Sequence, residues 1–389
     1  MSLVAGSQSV RPLARVRRWW NATPNVRTPN SVLLVLSVAV LNAIGLVMVL
    51  SASSIESIDL HQGSPWWFFE RQIVWTVLAT IGFVVASRFD YRRWRSYTGP
   101  LLGVAFGLLF IVLIPGVGIY ADGARRWIGY GQFRVQPSEI AKLALLVYAA
   151  DVLTRRQAVL HDWRQSVRPV VLVLAGIGVL VMAEPDLASM MVIGVIAMAT
   201  LIAAGVRLRH LGVLAGAAAA GVTMFALVVP WRRARMLAFL DPWHDRANTG
   251  YQVVQSLIAT GSGGWTGVGL GAGRSKWGFL PAAHTDFIFA VIGEELGLVG
   301  AVLVIALFAL IAVMGIRTAA RAPDRFGMIL ATGVTAWIIG QAVLNLGGVV
   351  SLLPVTGVPL PFISVGGTAL ISTMVAAGLL VNVARQGRS

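Results

Sequence analysis

Blocks of apolar residues near 20 long recur along this chain, separated by stretches rich in arginine, glycine and proline. Apolar positions do not alternate with polar ones. The pattern therefore predicts neither half-buried strands nor the alternating ten-residue segments of an outer-membrane barrel. A helix needs about 20 apolar residues to cross a bilayer. Ten blocks read as spans, near 32–52, 72–87, 99–115, 140–153, 169–183, 187–205, 211–229, 286–316, 325–347 and 364–384. The fourth is short and holds Lys142 and Asp151. The first is too long for a signal-peptide core and lacks a convincing cleavage site. The expected fold is an all-α polytopic membrane protein of about ten transmembrane helices. A tail at 1–31 precedes the membrane domain at 32–384, which carries a long extracytoplasmic loop at 230–285 between spans seven and eight. A tail at 385–389 follows.

Composition supports that class. Of 389 residues, 57% are hydrophobic and 12% charged, where a soluble domain carries about 25% charged. A soluble enzyme, a disordered chain and a fibrous protein are excluded. The net charge of +15 would suggest nucleic acid in a soluble protein. In a membrane protein, loop arginines beside anionic headgroups account for it, so membrane lipids are expected and nucleic acid is not. The chain has no cysteine, so it has no disulfide, thiolate nucleophile or cysteine metal site. Its five histidines (His61, His161, His210, His244 and His284) are widely spaced. No metal site and no organic cofactor are expected from these residues.

With both termini placed inside, twenty arginines fall on inner segments and ten basic residues outside, with Lys142 inside a span. The positive-inside rule favours this orientation. Nine of the ten outer charges lie in two loops. The loop at 116–139 holds Arg125, Arg126 and Arg134. The loop at 230–285 holds Arg232, Arg233, Arg235, Arg246, Arg274 and Lys276. A basic outer face suits an anionic ligand such as a phosphate. Long loops also escape the charge rule, and charge alone does not separate the two explanations.

Ionisable residues at membrane depth are functional candidates by default. Glu139 and Lys142 stand three apart in QPSEIAK, on one face of a helix that starts after Pro137, with Ser138 as an N-cap. A structural ion pair is the expectation, with a substrate role as the alternative. Glu184 and Asp186 flank a proline at an outer turn, where Asp186 can cap the next helix. Gly267, Gly269 and Ala272 match a dinucleotide fingerprint, but that pattern requires a βαβ unit, which is absent here. Those glycines instead permit tight turns or close approach. Asp286 opens the helix FIFAVIGEELGLVG after Pro281 and His284, where the helix dipole favours its charged form. A simple cap shared with Thr285 is the plainer explanation. Glu294 and Glu295 are expected to bond inside the bundle. Gly293, Gly297 and Gly300 permit close helix packing, within the bundle or against a partner helix.

Together, GARRWI (123–128), QPSEIAK (136–142), EPDLAS (184–189), GYQVVQS (250–256), FLPAAHTDFIFAVIGEELG (279–297) and VPLPFISVGGT (358–368) resemble the SEDS family, the FtsW and RodA peptidoglycan glycosyltransferases. The resemblance runs from the first span to the last. It implies the SEDS fold and polymerisation of lipid II into β-1,4 glycan strands at the outer face of the bacterial cytoplasmic membrane. It makes Asp286 the catalytic aspartate and places Arg126 and Arg134 at important positions. Arg235, Lys276 and His284 are further substrate-binding candidates, and Glu139 with Lys142 matches the family's intramembrane pair. A divalent cation, Mg2+ or Mn2+, could share the work on the pyrophosphate. The implied partners are lipid II, the nascent glycan strand, a class B penicillin-binding protein and other divisome proteins. The stretches SASS (51–54), KWGFLP (276–281) and HTDFIFAVIGEELG (284–297) stand closer to the division member than to the elongation member. They imply a site at the septum. A lipid flippase and a non-catalytic scaffold are the other function classes. Outer placement of Asp286 argues against the first, and dispensability of Asp286 would favour the second.

Overall fold

The structure, a computed structural model, describes residues 28–60, 64–121, 123–131, 133–160, 162–228, 233–234 and 237–387. Apolar blocks become helices because a bilayer leaves no other way to pair their main-chain groups. In chain order these are α1 (Pro29–Leu60), α2 (Trp67–Arg88) and α3 (Thr98–Leu113). A three-stranded antiparallel sheet follows, with β1 (Gly118–Ala121), β2 (Ala124–Tyr130) and β3 (Phe133–Val135) in that order. Then come α4 (Pro137–Arg155), α5 (Arg168–Ala183), α6 (Leu187–Ala203), α7 (Leu208–Val228), α8 (Tyr251–Ser262), α9 (Ile288–Ala320), α10 (Arg325–Val349) and α11 (Gly367–Gln386). Among the described residues, eight helices are long and apolar enough to cross a membrane. α6, at 17 residues, is apolar but shorter.

α4 explains its own weak hydropathy. Almost every side chain from Pro137 to Leu153 is buried, because α3, α5, α6 and α10 surround the helix. It faces protein rather than lipid, so it can carry Glu139, Lys142 and Asp151. Its N-cap is Gln136, not Ser138. Ser138 instead meets Asp186 Oδ2 at 3.3 Å and Ser189 Oγ at 3.1 Å.

The long segment before α9 is docked rather than loose. α9 breaks at Gly297, whose φ of +66° only glycine adopts freely. A Cβ there would strike the main chain at Gly267. The break would orphan helix groups, and the glycine-rich stretch satisfies them. Val268 and Gly269 donate to the carbonyls of Glu294 (3.0 Å) and Glu295 (3.1 Å). Leu298 and Val299 donate to Gly264 (2.9 Å) and Trp265 (3.1 Å). The glutamate side chains complete the clasp. Glu294 accepts from Arg274 N at 2.7 Å and from Ser275. Glu295 accepts from Gly271 N at 3.1 Å and Ser51 Oγ at 2.7 Å, and pairs with Lys276 at 3.3 Å. Gly293 and Gly297 therefore seat this segment, meeting Thr260 and the 265–267 stretch, and are covered rather than offered to a partner helix.

Candidate active site

Three irregular segments frame Asp286. The first is the turn at 282–287, which runs directly into α9 at Ile288 and opens at Ala282 with φ +57°. Asp286 thus sits just outside the helix that the sequence pattern starts at 286. The second is the irregular stretch at 354–366 between α10 and α11, which turns at 361–363. The third is the sheet. α10 braces the first two together: Asn345 Nδ2 donates to the Asp286 carbonyl at 2.7 Å and to the Val358 carbonyl at 2.8 Å. Gln341 Nε2 donates to Pro359 O at 3.0 Å. Ser364 Oγ donates to Thr285 O at 2.6 Å while accepting from Leu360 N at 2.8 Å. The main chain that carries Asp286 is therefore held from two sides.

The sheet delivers Arg126. In the β1–β2 register, Ile119 pairs with Trp127 and Tyr120 with Arg125, which leaves Arg126 as the extra residue of a β-bulge. A bulge bends its strand and re-aims a side chain. Here the Arg126 guanidinium turns onto the α5–α6 turn, where Nε donates to Glu184 O at 3.2 Å and Nη2 to Pro185 O at 2.7 Å.

These segments enclose a cavity of about 240 Å³ lined by Asp286, Arg126, Trp127, Glu139, Lys142 and Asp186 among others. Asp186 is fully engaged. It caps α6 through Ser189 N at 3.0 Å, as expected, and accepts from Gln136 Nε2 at 3.0 Å. Lys142 Nζ lies 2.7 Å from Glu139 Oε1, both side chains nearly solvent-free. Ser372 Oγ donates to the other Glu139 oxygen at 2.8 Å. The Lys142 ammonium also lies 5.4 Å from the Trp337 ring centroid. The expected pair thus forms, at the floor of the cavity.

Glu184 is buried at the α5–α6 turn, and neither of its carboxyl oxygens has a hydrogen-bond partner among the described residues. Burial, reinforced by Asp186 and opposed by Arg126, pushes its carboxyl up to about 9.

The other sequence-stated candidates lie elsewhere. Lys276 is buried in the clasp, donating to Gly271 O at 2.6 Å and pairing with Glu295, so its charge is spent on the fold. His284 Nδ1 lies 3.0 Å from Glu56 Oε2, and its ring packs 4.7 Å from Phe68. Arg134 is on exposed β3, within electrostatic reach of Arg71 rather than on the cavity wall. Arg235 lies outside the described residues. Among the described residues, no group of three or more His, Asp and Glu side chains is placed to hold a metal ion.

Residues 31–389 match the cell cycle protein family of FtsW, RodA and SpoVE. This chain belongs to that family. It is 44% identical to a probable peptidoglycan glycosyltransferase FtsW of Thioalkalivibrio sulfidiphilus, over 91% of this chain and 89% of the relative. Its fold matches a chain from a peptidoglycan synthase complex that coordinates polymerization and crosslinking. That match has a TM-score of 0.75 and 28% identity, covering 91% of this chain and 97% of the other. It also matches the rod shape determining protein RodA of Thermus thermophilus, with a TM-score of 0.67 and 28% identity over 92% and 97% of the two chains. An FtsW/RodA/SpoVE chain with this fold is an integral membrane protein, as the apolar pattern requires.

Sequence patterns missed three contributors in this family member: Asn345 and Ser364 brace the Asp286 turn, and Gln341 holds the 354–366 segment beside it. A polar side chain inside an otherwise apolar helix, as at Gln341 and Asn345, is the signal that could have found those two.

Proposed function

We propose that this chain is a peptidoglycan glycosyltransferase, polymerising lipid II into β-1,4 glycan strands at the outer face of the bacterial cytoplasmic membrane. The observation that carries the proposal is Asp286 and Arg126 on one cavity wall, each placed by irregular backbone that the surrounding helices brace. The donor is an α-linked lipid pyrophosphate and the product is β-linked, so one inversion implies direct displacement. The acceptor 4-hydroxyl forms a bond to the donor anomeric carbon as the bond from that carbon to the pyrophosphate oxygen breaks. Inversion calls for a base on the attacking side. Asp286 takes the hydroxyl proton, helped by the acidity the hydroxyl gains as the bond forms. Arg126 faces the negative charge that grows on the leaving pyrophosphate, where a guanidinium fork matches phosphate oxygens.

The topology proposed with this chemistry has ten spans, both termini in the cytoplasm and the Asp286 cavity facing outward. The charge distribution of the loops supports it. Identity to FtsW relatives supports a division role at the septum, with other divisome proteins as neighbours. The likeness to RodA keeps an elongation role of the same chemistry as the second reading. A class B penicillin-binding protein is the proposed partner, supported by the match to a synthase complex that couples polymerization to crosslinking. Purified chain, with and without its cognate transpeptidase, should polymerise lipid II, and Asp286→Ala should not. Product from Asp286→Ala equal to wild type would refute the assignment.

A further inference from the structure

The Glu184 side chain has no task in the mechanism above, yet it is one of the least ordinary groups in the protein. Its residue is 1% exposed, and neither oxygen accepts or donates a hydrogen bond among the described residues. Arg126 is its neighbour, but the guanidinium bonds the main-chain carbonyls of Glu184 and Pro185 rather than the carboxyl group. No ion pair joins the two side chains among the described residues. A buried carboxylate without a donor is strongly disfavoured, and the ordinary escape is to keep the proton. The charges that face the group are of both signs, and burial outweighs them. Asp186 of its own turn adds negative charge, while Arg126 of β2 opposes it. Beyond Arg168, neither α5 nor α6 carries an ionisable residue. The wider cavity adds Glu139 and Lys142, which neutralise each other, and Asp286.

We propose that Glu184 is a positioning residue that holds its proton in the working site, so that Arg126 keeps an uncompensated positive charge for the phosphate of the leaving group. An ionised Glu184 would swing Arg126 into an ion pair and cancel the charge the substrate needs. The main-chain carbonyls of the same turn orient the guanidinium without neutralising it. The inference rests on the assignment of Arg126 to the leaving pyrophosphate.

Two measurements test it, and only one depends on that assignment. The first is thermal unfolding against pH for wild type and Glu184→Gln, in the same detergent or nanodisc. A carboxyl whose value is raised in the folded state stabilises below its ordinary value of 4.5 and loses that contribution as pH climbs to about 9. The melting temperature of wild type should therefore fall relative to Glu184→Gln across that window, the gap widening with pH. A gap that does not change with pH overturns the proposal. Should the glutamine amide itself disrupt folding, Glu184→Met supplies a neutral side chain that needs no hydrogen bond. The second measurement is the pH profile of lipid II polymerisation. One unit above the Glu184 value, wild type should be about tenfold slower, because about one-tenth of the carboxyl remains protonated. Glu184→Gln should hold its rate there. An alkaline limb shared by both proteins, or a folded Glu184→Gln that is inactive at neutral pH, overturns the proposal. Failure of wild type to polymerise at any pH strikes the polymerase assignment instead, and the unfolding series still decides the protonation of Glu184.

Discussion

Replacing Glu139 by Gln should destabilise the protein more than replacing Glu139 and Lys142 together. The two charged groups stand 2.7 Å apart with 2–3% of each side chain exposed. At an effective dielectric near 20, opposite charges at that separation attract by about 6 kcal/mol, which offsets much of the desolvation that burial costs both. Glu139→Gln removes the attraction and leaves the Lys142 ammonium with a neutral amide and the Trp337 ring face. Breaking one side of a buried pair typically costs about 3–5 kcal/mol. The double variant Glu139→Gln/Lys142→Met buries no charge, so it should recover a large part of that loss. Ser372 retains an acceptor in the glutamine, so its hydrogen bond is not a confounding loss. The assay is thermal unfolding of wild type, both single variants and the double variant in one detergent, read as a double-mutant cycle. A coupling near zero, with all variants as stable as wild type and none able to polymerise lipid II, would refute the structural role and move the pair into the reaction.

Three further outcomes are expected. Asp286→Ala should abolish polymerisation while the protein still accumulates folded in the membrane; a glycan product indistinguishable from wild type would remove Asp286 as the base. Arg126→Ala should cripple turnover and Arg126→Lys restore it only in part, since a point charge lacks the fork that reaches both Glu184 O and Pro185 O; full activity in Arg126→Lys would sink the requirement for a guanidinium. Asn345→Ala should cost roughly 2–4 kcal/mol of stability, from two buried carbonyls losing a donor, and should lower kcat more than it raises KM. Unchanged kcat in a folded Asn345→Ala protein would show that the Asp286 turn holds without its brace.

The helices were legible because the bilayer fixes their length and leaves their main chain no alternative. The hydropathy pattern sees only the apolar middle of each. It therefore starts the second span at 72, although α2 begins at Trp67 and carries Glu70 and Arg71 in its first turns. It weakens on α4, where the surroundings are protein. The sheet at 118–135 left no such trace, since strands of three to seven residues with mixed polarity look like loop. The motifs marked the stretches that hold Asp286, Arg126, Glu139 and Lys142, but not that these residues share a cavity. That is a matter of pairing between segments up to some two hundred residues apart, and local spacing does not encode it. Lys276 shows the cost. Counted with the outer charges it looked available to a phosphate, whereas a helix break at Gly297 had brought Glu295 to meet it.

The site is made of irregular backbone in so helical a protein for a related reason. A helix at the membrane edge presents side chains at fixed intervals and keeps its main-chain groups to itself. A bulge, a turn entering α9 and the irregular segment at 354–366 can bring Arg126, Asp286 and Gly357 to one cavity, but each exposes carbonyls that lipid cannot satisfy. The protein meets that demand with polar side chains projected from neighbouring helices: Asn345 and Gln341 from α10, and Thr368 from α11, which donates to Arg134 O at 3.1 Å. Each of these donors holds a main-chain carbonyl. Asn345 and Ser364 thereby hold the main chain that carries Asp286. For Arg126, the guanidinium itself is anchored on the carbonyls of Glu184 and Pro185. This division of labour predicts that losing a bracing residue shifts the main chain that carries Asp286, whereas a change at Glu184 acts on the charge that faces Arg126.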